Sequence, residues 1–154
     1  MYQYRYGHAG DLPWLLQAAA AAAWEVLDPE ERMRVHPLAA AQRAALQCRQ
    51  VLASPGSALF VAQYGAQPVG YLLLALARDG STEEPTALLI DLWVHPAHRR
   101  RGVGSGLLAA AEAAVAALGL RKIKLWAGLH QRPAVEFALS RGFVPGGLIG
   151  VKEL

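Results

Sequence analysis

Residues 92–108 constrain the fold of this chain more than any other stretch. They run from an apolar strand through a loop with three consecutive arginines and closely spaced glycines into an amphipathic helix. Glycines let the backbone turn tightly and approach a ligand, and the first N–H groups of a helix have no partner within the helix. The arginines add positive charge and forked hydrogen-bond donors. This layout predicts a strand–turn–helix unit that binds an anion such as a phosphate.

Hydrophobic periodicity and turn residues divide the chain in the order β-α-α-β-β-β-α-β-α-β. The predicted strands are 2–6, 57–64, 69–77, 87–94, 122–127 and 148–153, and the predicted helices are 11–26, 37–52, one that follows the glycine loop and ends at Gly119, and 133–141. Strand 87–94 is almost wholly apolar, which is typical of a central strand covered on both faces. We therefore expect one domain over residues 1–154, of the α/β class with a mixed sheet.

Charge and composition narrow the choice of ligand and compartment. The net charge is +3 with a pI near 9.3, but six of the fifteen basic residues lie between Arg99 and Lys124. This clustering favours a local anionic ligand over a nucleic acid. Because no apolar run approaches the roughly 20 residues of a membrane span and the N-terminus lacks a signal-peptide pattern, we expect a cytoplasmic protein with no membrane partner. The lone Cys48 has no disulfide partner, and the scattered histidines offer no metal spacing.

Three motifs, in the expected order, resemble the GNAT superfamily of N-acetyltransferases. The acyl-CoA signature of that family reads Arg or Gln, two variable residues, Gly, one variable residue, then Gly or Ala, and residues 99–104 are similar to it. The strand and proline that normally precede the signature match residues 92–96, and the Gly-Phe found near the last strands matches Gly142 and Phe143. The resemblance is sharpest over residues 86–144. It implies the GNAT fold, acetyl-CoA as co-substrate and transfer of the acetyl group to a primary amine without a covalent acyl-enzyme.

The resemblance also implies which residues bind the donor. In the family, backbone N–H groups of the glycine loop hold the CoA pyrophosphate, and the preceding strand splays from its neighbour to pair with the pantetheine arm and the thioester carbonyl. Buried backbone N–H and C=O groups without hydrogen-bond partners cost free energy, so a ligand is expected to pair with them. The positions that match are Leu92, Trp93, Val94, Arg99, Arg100, Arg101, Gly102, Val103, Gly104, Ser105 and Gln131. The side chains of the strand residues are expected to lie in the core. In a structural alternative, one or two of the three arginines only form a solvated surface cluster.

Asp91 is the anomalous residue of the central strand, because an ionised carboxylate there needs a partner or several hydrogen bonds. One interpretation is structural, with Asp91 bound to a strand bulge or a helix N-terminus. The other is catalytic, with Asp91 acting on the amine as a base through water or as an anchor for a cationic substrate. Residues 90–94 resemble the Glu-Asp-aromatic-aromatic-Val of the diamine acetyltransferases, but Ile90 replaces the glutamate, which argues against a polyamine-like substrate.

The segment before the last helix supplies the second catalytic candidate, His130. A neutral imidazole suits proton transfer, although a loop histidine is often only solvated. Counting back from the Gly-Phe motif, the asparagine usual in the family falls on Gln131, which can still hydrogen-bond. The tyrosine that usually protonates the departing CoA thiolate falls on Ala138, which cannot donate a proton. The general acid is therefore left open among solvent, His130 and a tyrosine from elsewhere.

Two other functions remain possible from the sequence. The same fold could bind acyl-CoA without catalysis, as a sensor or interaction module, and Ala138 is the support for that alternative. The glycines of residues 102–106 could instead form a dinucleotide loop, but their spacing is not Gly-x-Gly-x-x-Gly and no acidic residue ends the next strand. The sequence leaves open the acceptor, a small-molecule or peptide amine, and the oligomeric state, for which a homodimer through the end strand is one possibility.

Overall fold

A five-stranded mixed sheet organises the chain, and the computed structural model describes all residues, 1–154. The strands are β1 Tyr2–Tyr6, β2 Ala58–Tyr64, β3 Gln67–Arg78, β4 Pro85–Val94 and β5 Ile123–Leu125. The helices are α1 Leu12–Glu25, α2 Pro29–Arg34, α3 Pro37–Ala53, α4 Val103–Ala117 and α5 Arg132–Ser140. The strands lie in chain order, antiparallel from β1 to β4, with β5 parallel to β4. The predicted mixed α/β class is confirmed, and the antiparallel order excludes the parallel βαβ frame of a dinucleotide-binding fold.

Alternation of side chains along β2, β3 and β4 separates two cores, one on each face of the sheet. One core packs the strands against α1 and α3, and its strand members include Val61, Tyr71 and Trp93. The other core packs them against α4, and its strand members include Phe60 and Leu72. Because successive side chains of a strand point to opposite faces, β4 is covered on both sides, as its apolar sequence predicts. Helices α1 and α4 therefore lie on opposite faces of the same strand.

A bulge in β4 changes the course of this central strand. Leu74 of β3 pairs with Leu89 and Leu73 pairs with Asp91, so Ile90 is an extra residue. A bulge bends its strand and increases the local twist. Strand β5 pairs with β4 only up to Leu89, which faces Leu125. Residues 91–94 therefore have β3 on one side and no strand on the other.

The unit that follows β4 forms as the sequence predicts. The chain passes through a short 3-10 turn, Pro96–His98, and the arginine loop into α4. Leu107, Leu108 and Ala111 of α4 are buried on one helical face. Gly119 ends the helix with φ of 76°, a left-handed conformation that glycine adopts without strain. The predicted helix and its end are confirmed.

The start of the chain differs from the prediction in two places. Residues 28–31 begin a helix that lies between the predicted helices 11–26 and 37–52. The Asp28 carboxylate accepts from the Glu31 N–H at 2.8 Å, and the Glu31 carboxylate accepts from the Asp28 N–H at 2.9 Å. This reciprocal capping box nucleates α2, so three helices precede β2 instead of two. Asp11 does not cap α1, because its carboxylate accepts from the Arg5 guanidinium at 2.8 Å and from the His8 N–H.

The predicted final strand at 148–153 is absent, so the predicted element order is wrong at its end. Strand β5 is three residues long, shorter than the predicted 122–127, and offers little edge for another strand. No backbone hydrogen bond involves a residue after Phe143, and the apolar side chains of the tail are exposed, Leu148 by 93% and Val151 by 90%. Proline and glycines in this segment weaken strand formation further. Alternating apolar residues do not form a strand without a partner.

Candidate active site

The arginine loop connects the end of β4 to the start of α4. Arg100 and Gly102 both have left-handed backbone, with φ of 61° and 80°. Alternation of right- and left-handed residues turns successive N–H groups toward one side, which is the geometry of an anion-binding nest. Gly102 is the N-cap of α4 and has no side chain to cap it, and the first intrahelical bond joins the Gly106 N–H to the Gly102 carbonyl at 3.0 Å. The N–H groups of residues 103–105 therefore have no partner within the helix.

The three arginines of this loop differ in their contacts. Arg100 and Arg101 are exposed and belong to no ion pair. Arg99 folds back over the end of β4, where its Nε donates to the Val94 carbonyl at 2.8 Å and its Nη2 donates to Glu25 at 2.7 Å. The structure thus leaves two cations free beside the N-terminus of α4 and directs the third toward α1.

The C-terminal end of α1 is the point where the site residues meet. Glu25 ends this helix and accepts hydrogen bonds from Arg99 and, at 3.3 Å, from the Trp93 indole N–H. The next carbonyl, that of Val26, accepts from His130 Nε2 at 2.7 Å and from the Gln131 side-chain amide at 3.2 Å. One helix end therefore joins the free half of β4, the arginine loop and the segment before α5.

This arrangement fixes the tautomer of His130. A carbonyl oxygen only accepts, so Nε2 of His130 carries the proton and donates it to the Val26 carbonyl. In a neutral ring, Nδ1 is then the basic nitrogen. His130 has no hydrogen bond to Asp91. The two residues predicted to be catalytic are thus held by different partners.

Asp91 is bound by a residue that sequence reasoning missed. The hydroxyl of the fully buried Tyr71 donates to the Asp91 carboxylate, and the Leu92 N–H also stabilises it. Burial nevertheless raises the pKa of Asp91 above its ordinary value, with Glu25 adding to the rise, while the Tyr71 and Leu92 hydrogen bonds oppose it. Burial and the nearby carboxylate raise the pKa of Tyr71 strongly. The bulge at Ile90 creates this pair, since it turns Asp91 toward the core that contains Tyr71.

Cys48 lies in the same core and is inert at neutral pH. Its thiol is buried, and burial together with the charge of Asp91 raises its pKa to about 11. A thiol in this state is not a nucleophile. Cys48 is therefore a packed core residue rather than a surface thiol.

The remaining predicted site residues are placed by packing. Leu92 and Val94 are partly buried against the α4 core, and Trp93 is 8% exposed in the α1 core. Val103 is buried at the start of α4, and Gly104 and Ser105 follow it in the first turn. No group of His, Cys, Asp and Glu side chains is arranged to hold a metal ion. No helix combines the length and apolar character that a membrane crossing requires.

The match to a known family decides the identity of the fold. A family model described as "Acetyltransferase (GNAT) family" matches residues 16–143, which include β4, the arginine loop and Phe143. The chain belongs to the GNAT family of acetyltransferases. A search of curated proteins gives no match.

Solved structures share the fold of this GNAT chain over its whole length. A Pyrococcus furiosus protein assigned as an acetyl transferase has a TM-score of 0.84 at 21% identity, with 100% of each chain covered. AAC(6')-Iy, solved with the bisubstrate analogue CoA-S-monomethyl-acetylneamine, has a TM-score of 0.75 at 16% identity, covering 100% of this chain and 99% of that one. An aminoglycoside acetyltransferase from an uncultured soil metagenomic sample, in complex with sisomicin, has a TM-score of 0.71 at 19% identity, covering 99% and 95%. At these identities the likeness concerns the fold.

Against the GNAT pattern, two features of this acetyltransferase stand out. Ala138, at the position of the usual tyrosine, is 6% exposed and packed inside α5, so no side chain there reaches a substrate. Glu25, which sequence reasoning missed, joins Trp93 to Arg99. It gave no local signal, because it is an ordinary acidic residue near a helix end. Tyr71 had one indirect signal, since a carboxylate in a central strand requires a donor.

Proposed function

We propose that this GNAT acetyltransferase transfers the acetyl group of acetyl-CoA to a primary amine by direct attack in a ternary complex. The observation that carries the proposal is that β4 has no neighbouring strand on the β5 side after Leu89. The loop that follows β4 then leads into a helix, α4, whose first N–H groups have no hydrogen-bond partner. These two features offer an extended ligand a strand edge and, next to it, an anion site. An acyl donor with a pyrophosphate and an amide-containing arm has the chemistry that both features recognise.

The donor would lie across the arginine loop and β4. Its pyrophosphate would be bound by the N–H groups of Gly102, Val103, Gly104 and Ser105, with Arg100 and Arg101 supplying charge. Its pantetheine arm would pair with the backbone of Leu92, Trp93 and Val94, which also polarises the thioester carbonyl. The Gln131 amide, now on the Val26 carbonyl, would lie beside the acyl end.

The chemistry would begin with a neutral amine. Its nitrogen attacks the thioester carbonyl, and a C–N bond forms as the C–S bond breaks. The nitrogen, positively charged after attack, loses one proton, and the departing CoA thiolate takes up one. Asp91, with its pKa raised by burial, would accept the amine proton through water or anchor the cationic amine before attack. His130 Nδ1 is a second candidate for proton transfer. Since Cys48 is a buried thiol with a pKa of about 11, no acyl-cysteine is proposed.

A second function is favoured by one observation, the buried Ala138 in place of an acidic hydroxyl. The protein would then bind acyl-CoA as a sensor or interaction module and turn over weakly or not at all. The two functions separate in a thiol-release assay with acetyl-CoA. CoA appears faster with an acceptor amine only if the protein is an enzyme.

For the acceptor we propose a small-molecule amine that is cationic in solution, with a peptide amine as the alternative. Structural neighbours include aminoglycoside acetyltransferases, and Glu25 and Asp91 place two carboxylates at the α1 side of β4. We also propose a cytoplasmic location, where the free thiol of Cys48 stays reduced, and no nucleic-acid partner. A homodimer remains a proposal that rests on β1, the five-residue strand at the other side of the sheet from β5, which has one free edge.

Calorimetric titration with acetyl-CoA tests the donor site, and α4 offers a matched pair of variants. Gly102 and Gly119 stand at its two ends, both with positive φ and with open space where a side chain would lie. Gly102→Glu and Gly119→Glu therefore share the same backbone strain, but only the first puts a carboxylate in the anion nest. We expect binding by wild type and Gly119→Glu and at least about tenfold weaker binding by Gly102→Glu. A folded wild type that does not bind acetyl-CoA would overturn the proposed function.

A further inference from the structure

The contacts of Arg99 conflict with the donor site that the proposed function places at the end of β4. Its Nε occupies the Val94 carbonyl, a group that the pantetheine arm would need. Its Nη2 lies on Glu25, which belongs to α1, whereas the anion nest lies at the start of α4. Because α1 and α4 pack on opposite faces of the sheet, the guanidinium is bound to the helix that does not carry the nest.

Glu25 holds the guanidinium in this position. The carboxylate uses one oxygen for Arg99 at 2.7 Å and the other for the Trp93 indole at 3.3 Å. The indole of Trp93 is 8% exposed, so it fixes the carboxylate against a packed side chain rather than a mobile one. The ion pair itself is partly exposed, with 40% of each side chain accessible to solvent. Such an ion pair contributes little free energy, so a ligand whose anionic group binds the guanidinium more strongly than Glu25 does can break it.

We propose that Glu25 and Arg99 form a latch that closes the acyl-donor end of β4, and that donor binding opens it. This inference rests on the proposed function, because the ligand that opens the latch is acetyl-CoA. The donor competes with Arg99 for the Val94 carbonyl, and its pyrophosphate competes with Glu25 for the guanidinium. Glu25 is thus a positioning residue, which acts through Arg99. Opening the latch leaves the Glu25 carboxylate uncompensated beside Trp93, where a cationic acceptor would approach.

Glu25→Gln tests the latch with little disturbance of the fold, because the amide oxygen still accepts from Trp93 while the negative charge is lost. Acetyl-CoA titrated into this variant at low ionic strength should bind about two- to fivefold more tightly than into wild type, since a partly exposed ion pair no longer opposes it. Glu30→Gln is the control for loss of one negative charge, because Glu30 is exposed on α2 and forms no hydrogen bond through its side chain. It should leave the dissociation constant unchanged.

A double-mutant cycle separates the latch from simple repulsion between Glu25 and phosphate. In an Arg99→Gln background no latch exists, so adding Glu25→Gln should leave the acetyl-CoA dissociation constant unchanged. Tightening that persists in this background would overturn the proposal, as would unchanged or weaker binding by Glu25→Gln alone. Glu25→Asp provides a second variant, which keeps the charge but withdraws it from Arg99, and it should also tighten binding. If wild type binds no acetyl-CoA, the donor site itself is refuted. If wild type binds but the effects of Glu25→Gln and Arg99→Gln are additive, only the latch is refuted.

Discussion

Removing the hydroxyl of Tyr71 is the sharpest test of how the central strand carries its carboxylate. Tyr71→Phe keeps the ring in place, so no cavity forms, and Asp91 loses its side-chain donor. A hydrogen bond to a charged group contributes about 1.5–3 kcal/mol, so we expect a loss of about 2 kcal/mol in the free energy of unfolding at neutral pH. For a chain of 154 residues this corresponds to a fall in Tm of about 4–8 °C.

The stability lost in Tyr71→Phe should depend on pH, and the structure determines the direction of this dependence. Burial raises the folded-state pKa of Asp91 above its unfolded value, so ionisation of this group removes stability as the pH rises through the folded pKa. The Tyr71 hydrogen bond lowers that pKa, and its loss therefore raises the pKa further and enlarges the penalty. Below the ordinary aspartate pKa both proteins hold a neutral carboxyl, and the difference should shrink to about 1 kcal/mol, that of a neutral hydrogen bond.

Urea unfolding followed by far-UV circular dichroism at about pH 3.5, below the ordinary aspartate pKa, and at pH 7.5 measures both quantities. Tyr64→Phe serves as the matched control, because Tyr64 is 50% exposed and its hydroxyl makes no hydrogen bond to the protein, and it should change stability by less than about 0.5 kcal/mol. Between about pH 3.5 and pH 7.5, Asp91→Asn should gain stability relative to wild type, because only wild type has a buried carboxylate that ionises over this range. A Tyr71→Phe cost that is equal at both pH values, or no larger than that of the control, would show that Tyr71 does not hold an ionised Asp91.

Other variants test the loop and the packing around it. Arg100→Gln combined with Arg101→Gln should weaken acetyl-CoA binding about five- to tenfold and flatten its salt dependence, as measured by titration at two salt concentrations. Ala138→Tyr should lower stability by about 1–3 kcal/mol in urea unfolding, because the site is buried, and an unchanged stability would show that α5 can make room for the usual acid. Gly70→Ala should cost a similar amount, since its Cβ would lie 3.0 Å from the Trp93 carbonyl oxygen, whereas Gly104→Ala, with an ordinary contact at 3.5 Å, should be neutral or stabilising.

Local signals predicted the parts of the fold that local forces decide. The apolar run of β4, the glycine loop and the single buried face of α4 each identify their own structure, and Gly119 marks the end of α4. The short helix α2 is also encoded locally, in the pairing of Asp28 with Glu31, although the predicted helices 11–26 and 37–52 leave both residues outside. That error concerned the interpretation of a cap rather than missing information.

Features that depend on distant partners could not be predicted. The bulge at Ile90 arises from the register between β3 and β4, and the strand sequence shows only continuous apolar residues. The contact of Glu25 with Arg99 joins residues 74 positions apart, and no composition or spacing rule brings them together. The strand predicted after Phe143 is absent for the same reason. A strand forms only where the edge of another strand is available to pair with it, and the sequence does not specify that edge.

The free half of β4 bears on how a chain of this kind can change over evolutionary time. Main-chain N–H and C=O groups are present whatever the side chains are, so a ligand that binds this edge is insensitive to most substitutions along it. The roles proposed for Glu25, Asp91 and His130, by contrast, depend on side chains that a single mutation removes. Under that proposal, mutations can change the acceptor without disturbing the donor site.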